Sequence, residues 1–263
     1  MNILDKIVEH KRQEVAGKKA KVSIDELQLS DQFARKTLSL KKFLLEDNKT
    51  GIIAEFKRRS PSKGIINADA DVVKVTTAYA SNGASGLSVL TDEYFFGGSM
   101  NDLLKARVNN TPILRKDFMV DEYQFYEAKS IGADVVLLIA ACLTPQQVKQ
   151  FATLSKQLGL EVLLEIHNEE ELKHICDEVD MVGVNNRNLK TFEVDINTSL
   201  QLFDKIPQDK PAVAESGISN VDTIITLKKA GFKGFLIGEN FMKQKDPASA
   251  FEDFATNLKS TRI

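Results

Sequence analysis

Eight short runs of β-branched and aliphatic residues alternate with eight amphipathic stretches of helix length, and that beat limits the chain to very few folds. The strand candidates are Ile52–Lys57, Gly86–Leu90, Ile113–Arg115, Val135–Ile139, Val162–Ile166, Met181–Val184, Ala212–Glu215 and Gly234–Ile237. Helices are predicted near Asp71–Ser81, Asn101–Val108, Glu122–Ile131, Pro145–Leu158, Glu169–Asp177, Thr198–Asp204, Val221–Ala230 and Pro247–Leu258. Gly132, Gly159 and Gly231 fall where helix C-termini need capping. Repeated βα units build α/β proteins on a parallel sheet, and eight of them point to a closed (β/α)8 TIM barrel of about 250 residues. The main rival is an open doubly wound sheet. No G-x-G-x-x-G follows any strand candidate, so the barrel is preferred.

Ahead of the first strand lies a helical extension, residues 1–48, leaving 49–263 for the barrel as a single catalytic domain. Ile3 to Val15 reads as a helix with Ile3, Leu4, Ile7 and Val8 on one face, and a second short helix is predicted at Leu40–Glu46. The Lys-rich stretch from Lys11 to Lys21 reads as the solvated end of the first helix. A net charge of −2 gives no nucleic-acid footprint. Cys142 and Cys176 form no C-x-x-C pair. The opening M-N-I-L-D-K-I-V-E-H has no leader-type apolar run, and no segment reaches transmembrane length. A cytoplasmic protein without membrane or nucleic-acid partners is expected, with a monomer as the default.

Active sites of such barrels lie at the C-terminal strand ends, so those positions can be read as a ring. The first strand ends in I-A-E-F-K, and residues two apart point to one face, so Glu55 and Lys57 face the same side. A plain ion pair holding the strand end accounts for that pair equally well when it is taken alone. Ser60, Pro61 and Ser62 then turn the chain. The second strand runs into Thr91 and Asp92, and the third gives Arg115, Lys116, Asp117 and Phe118. Glu165 and His167 end the fifth strand, and Asn185, Asn186 and Arg187 the sixth. The last two supply Glu215, Ser216, Gly217 and then Gly238, Glu239, Asn240. Such a ring suits an anionic, polyhydroxylated substrate. Glycines after strands seven and eight let backbone N–H groups approach an anion, and barrels commonly hold phosphate there. Each glycine alone is explained by a tight turn.

Other candidates are weaker. His167 reads as a hydrogen-bonded structural residue rather than an acid–base group. His10 and His174 read as surface positions on helices. Cys142 has no evident base partner, and Asp69, Asp71 and Asp92 form no recognisable metal site.

In order and spacing, the motifs match one family. They are I-A-E-F-K-R-R-S-P-S-K-G at 53–64, R-K-D-F at 115–118, G-A-D-V-V-L-L-I-A-A at 132–141, E-I-H at 165–167, G-V-N-N-R-N-L at 183–189, E-S-G-I at 215–218 and I-G-E-N-F-M at 237–242. Across essentially its whole length, extension included, the sequence resembles indole-3-glycerol-phosphate synthase, the ring-closing enzyme of tryptophan biosynthesis.

The resemblance implies conversion of 1-(2-carboxyphenylamino)-1-deoxyribulose 5-phosphate to indole-3-glycerol phosphate, with loss of carbon dioxide and water and with no metal or cofactor. It implies catalytic roles for Lys116 as general acid, Glu165 as base, and Lys57 as a contact to substrate carboxylate or phosphate that assists dehydration. Glu55, Ser60, Asn185, Arg187, Glu215 and Ser216 would bind substrate, and Phe118 would pack on the anthranilate ring. Lys57, Gly217, Gly238 and Glu239 would take the phosphate. The Glu239 carboxylate is expected to point away from that anion and leave only its N–H. Two readings from other classes remain open at this point: a Schiff-base aldolase using Lys116, and a non-catalytic barrel serving as a partner subunit. A phosphoribosyl isomerase barrel would share the phosphate site but lack the Glu-x-Lys and R-K-D-F pair and the extension.

Overall fold

The computed structural model describes residues 3–189 and 191–261. Eight parallel strands close into a barrel: β1 (Ile52–Phe56), β2 (Gly86–Leu90), β3 (Ile113–Lys116), β4 (Val135–Ile139), β5 (Glu161–Ile166), β6 (Met181–Asn185), β7 (Ala212–Glu215) and β8 (Gly234–Ile237). Strand β1 pairs on both sides, so Ile53 stands opposite Gly86 of β2 and Leu236 of β8. Strands β2, β4, β7 and β8 begin and end where the sequence predicts, and the others differ by one residue.

The two-residue alternation of the strands sorts the core into two shells. Ile52, Ala54, Leu87, Val89, Val136, Leu138, Val162 and Leu164 pack outward against the helices. Ile53, Leu114, Val135, Leu137, Leu163, Met181, Val213 and Leu236 fill the interior. The same parity sets what stands above that interior layer. Two residues beyond Ile53, Leu114, Leu163, Val213 and Leu236 come Glu55, Lys116, Glu165, Glu215 and Gly238, and two beyond Glu55 comes Lys57. The polar ring is the next storey of the packed core.

The helical series begins with α1 (Ile3–Lys19), α2 (Ile24–Gln28) and α3 (Leu40–Leu44) of the extension. It continues with α4 (Val72–Ser81), α5 (Met100–Ala106), α6 (Tyr123–Ser130), α7 (Pro145–Gln157), α8 (Asn197–Phe203), α9 (Val221–Ala230), α10 (Glu239–Met242) and α11 (Pro247–Ser260). Gly231 ends α9 with φ +114°, the left-handed cap its position predicts. Between β5 and β6 the expected α-helix is instead a 3-10 segment, Glu169–His174. That tighter turn tucks His174 inward, its ring nitrogens 3.0 and 2.9 Å from the carbonyls of Glu171 and Leu143. His174 is buried and is not the surface residue expected. Sequence patterning also misses α2, which a Ser23–Glu26 capping box starts, and a small antiparallel pair, Arg59–Ser60 with Gly64–Ile65, in the loop after β1.

The extension reaches both ends of the barrel. Leu40 and Leu44 of α3 join the interior core as its floor. Asp134 ties the preceding segment down, accepting from Arg35 at 2.7 Å and from the Leu38 N–H at 2.8 Å. At the opposite end, α1 buries Ile7, Lys11 and Val15, a stripe at helical spacing. The expectation of a solvated Lys11 therefore fails. Its side chain is fully buried, and its ammonium meets Glu14, Asp92 and Asp117 at 2.8, 2.9 and 3.0 Å. A buried ammonium is tolerable because three carboxylates replace the water it has lost.

Candidate active site

The C-terminal strand ends enclose a cavity of about 410 Å³. Every residue to which the resemblance gives a role lines it: Glu55, Lys57 and Ser60 from β1 and its loop, Lys116 and Phe118 from β3, Glu165 from β5, Asn185 and Arg187 from β6, Glu215, Ser216 and Gly217 from β7, and Gly238 and Glu239 from β8. Strand alternation turns Arg115 the other way. It is buried outside the cavity against Glu127 and Asp117, at 2.6 and 3.1 Å, so it is no member of the ring.

At the cavity base, the Lys116 ammonium donates to Glu165 at 2.9 Å and to Glu215 at 3.0 Å. Burial disfavours its charge, but Glu165, Glu215 and Glu55 outweigh that and hold its pKa above the ordinary lysine value. Glu165 is likewise buried, which alone would raise its pKa. Lys116, His167 and a 2.9 Å hydrogen bond from Asn185 pull it well below the ordinary carboxylate range instead. Glu215 has the opposite fate. Burial raises it, Lys116 draws it down only in part, and the nearby Glu165 and Glu55 charges leave it at about 7. One of its oxygens, Oε1, is buried without a hydrogen-bond partner. Two glutamates on one lysine are thus pushed apart in proton affinity, the pattern expected where acid and base roles are divided.

Lys57 folds back on Glu55 at 2.6 Å, as their shared face predicts. Glycines make room for the carboxylates. A Cβ on Gly183 would lie 2.2 Å from Glu215 Oε1, and one on Gly238 would lie 2.5 Å from Glu55 Oε1. Gly217 has φ +78° and follows Ser216, itself at φ +65°, a conformation costly for a residue with a side chain. Asn186 holds this bend by donating to the Ser216 carbonyl at 3.1 Å. On the β8 side, Gly238 opens α10 with no side-chain cap. The Glu239 carboxylate does not turn away as expected. It lies across the mouth, 3.7 Å from Arg187 and 3.9 Å from Lys63.

One contribution escapes the sequence reading. Ile3, Leu4 and Ile7 of α1 line the cavity together with Phe96 and Phe118, whose rings are 6.0 Å apart, and give it an apolar wall. His167 is a hydrogen-bonded residue, as its strand-end place predicts. Its Nε2 is 3.1 Å from Glu165 and its Nδ1 3.2 Å from Glu171. Burial lowers its pKa, yet the two carboxylates win and lift it to about 10. The four-residue spacing of His167 and Glu171 is the sequence signal for that pair. Cys142 closes the 3-10 turn after β4, its thiol pushed up to about 12 by burial and by the Glu165 charge, which favours the unreactive thiol form.

Among the described residues, no helix is long and apolar enough to cross a membrane. The sequence profile described as indole-3-glycerol phosphate synthase matches residues 4–254. A protein of that name from Bacteroides thetaiotaomicron is 49% identical over 254 residues, covering 96% of this chain and 97% of its own. Another from Thermoanaerobacter pseudethanolicus is 43% identical over 259 residues, covering 98% of each chain. A third, from a Polaromonas species, is 43% identical over 254 residues, covering 95% and 96%. On this profile match and these near-full-length identities, the chain belongs to the indole-3-glycerol phosphate synthase family.

Proposed function

We propose that this chain converts 1-(2-carboxyphenylamino)-1-deoxyribulose 5-phosphate to indole-3-glycerol phosphate, carbon dioxide and water. The observation that carries the assignment of roles is the Lys116 ammonium held between Glu165 and Glu215 at the base of a cavity with one apolar wall. The anthranilate ring packs against Phe118 and Phe96. At the other end of the substrate, Lys57, Gly217, Gly238 and the Glu239 N–H are within the mouth to receive phosphate, with Arg187 and Ser216 beside them. Glu239 would have to release Arg187 and Lys63 as the anion arrives.

The ring carbon bearing the carboxylate attacks the C2′ carbonyl, and Lys116 gives a proton to the developing oxyanion. Carbon dioxide then leaves and the benzene ring is restored. Loss of the C2′ hydroxyl as water, with Lys57 assisting, and of a proton to Glu165 completes the indole. Asn185 and His167 hold Glu165 in place for that transfer, while Glu55 and Glu215 orient the two lysines. In the resting site Lys116 and Glu165 neutralise each other. The incoming carboxylate and carbonyl must part them, which frees the acid and raises the basicity of its partner.

A Schiff-base aldolase is disfavoured by the same electrostatics, since three carboxylates keep Lys116 protonated and a nucleophilic lysine must be neutral. The division into an extension, 1–48, and a barrel, 49–263, is a division of topology. The apolar wall from α1 makes both parts of one working unit, and all the assigned groups come from a single chain.

The direct test is to mix the purified chain with the substrate and follow indole absorbance and fluorescence. The chain contains no Trp, so its own signal is low. No indole from a folded protein would refute the reading, and borohydride trapping with other sugar phosphates would then test the aldolase.

A further inference from the structure

The buried ammonium of Lys11 belongs to the extension, yet besides Glu14 of its own helix its partners belong to the two loops that carry the aromatic end of the cavity. Asp92 follows β2. While one of its oxygens meets Lys11 at 2.9 Å, the other accepts from the N–H groups of Phe95 and Phe96 at 2.7 and 3.1 Å. Asp117 follows Lys116 directly. One oxygen accepts from Lys11 at 3.0 Å and from the Phe118 N–H at 2.8 Å, and the other accepts from Thr91 and Arg115 at 2.6 and 3.1 Å. The Thr91 N–H also donates to the Lys116 carbonyl at 3.2 Å. One cation therefore sits between the carboxylates that fix Phe96, Phe118 and the backbone of Lys116.

Charge makes the bridge necessary. Asp92 and Asp117 are both fully buried, and the ammonium between them is within 3.0 Å of each. Take it away and Asp92 loses this cation while Asp117 keeps only Arg115, leaving two buried like charges in a medium that screens them poorly. The loops would separate, and α1 would lose the anchor one turn beyond Ile7. That helix also supplies Ile3, Leu4 and Ile7 to the cavity wall.

We propose that Lys11 is a positioning residue for the reaction: it clamps the β2 and β3 loops together and so sets the placement of Lys116, Phe96 and Phe118 against the apolar wall of α1. The inference rests on the synthase reading above. Lys11 touches no reacting atom and acts through Asp92 and Asp117.

The test compares Lys11→Met, Lys11→Met/Asp92→Asn and the unaltered chain. It reads circular dichroism, kcat and KM with 1-(2-carboxyphenylamino)-1-deoxyribulose 5-phosphate, and competitive inhibition by inorganic phosphate. A small displacement at a reacting group is costly, so Lys11→Met should lose at least about tenfold in kcat while phosphate inhibition stays within about twofold. Removing the facing charge in the double variant should restore most of that kcat, which a general loss of stability would not do. A folded Lys11→Met with unchanged kcat, or a folded double variant no better than the single, overturns the proposal. If Lys11→Met does not fold, the double variant decides: turnover within about tenfold of the parent supports the clamp, and none overturns it. No turnover in the unaltered chain overturns the synthase reading first and this inference with it.

Discussion

Lys116 and Glu165 lie 49 residues apart in the chain and 2.9 Å apart in the barrel, joined at the ends of strands that do not pair with each other. Each is the other's main electrostatic partner, and the two are assigned opposite proton transfers. Removing either should therefore do more than delete one group. Lys116→Ala and Glu165→Gln are each expected to lower kcat by about 10²–10⁴. Lys116→Ala should also raise the carboxylate pKa values, because Glu165 and Glu215 lose their shared cation. Steady-state kinetics and carboxyl titration by NMR check both parts. Near-normal kcat in either variant would refute its assigned role.

His167 gives a pH signature of known sign. Its folded pKa, about 10, stands above the ordinary value of 6.5. The stabilisation is thus fully present below about pH 6.5 and is lost as pH rises through about 10. The melting temperature of His167→Gln should fall furthest below the parent near pH 6 and converge on it toward pH 10. An imidazole ring already neutral near pH 7 by NMR would contradict the arrangement.

Glu215 is also raised, from 4.5 to about 7, so its protonated form is the one the fold favours. Its contribution is present below about pH 4.5 and declines as pH climbs through about 7. Relative to the parent, Glu215→Gln should melt higher at pH 8 than at pH 5. A gap that shrinks over that interval would show that Lys116 outweighs burial at this carboxylate.

Gly183→Ala tests whether the shape of the wall matters to the chemistry. The added methyl would meet Glu215 Oε1 at 2.2 Å and Leu163 at 3.4 Å, so the carboxylate must swing. We expect an intact barrel whose kcat falls by about 10²-fold through misplacement of Glu215 and Lys116. Unchanged kinetics would mean that Glu215 has room to move without consequence.

Leu40 is the control at the other end. It is fully buried in the floor, far from the reacting groups. Leu40→Ala should lower stability by about 2–5 kcal/mol and leave kcat nearly unchanged below its melting transition. Denaturant unfolding and kinetics on the same sample separate the two effects.

The barrel and its polar ring were legible because both follow from local periodicity. Alternation placed Glu55 with Lys57, and the same rule predicts the inward turn of Lys116, Glu165 and Glu215. What escaped depends on contacts distant in sequence. Lys11 continues the Ile7–Val15 stripe, yet a lysine reads as solvated until Asp92 and Asp117 are seen to meet it. His174 is held by the Leu143 carbonyl, and Glu239 is drawn across the mouth by Arg187 and Lys63. None of these three partners is implied by spacing.

The β1–β8 seam joins the first strand to the last, and its upper edge is where Glu55 rests on Gly238. A nascent chain still lacking β8 has no seat for that carboxylate and hence no settled partner for Lys57. Turnover can begin only when the sheet has met its own beginning, so appearance of indole during refolding would time the closing of the ring itself.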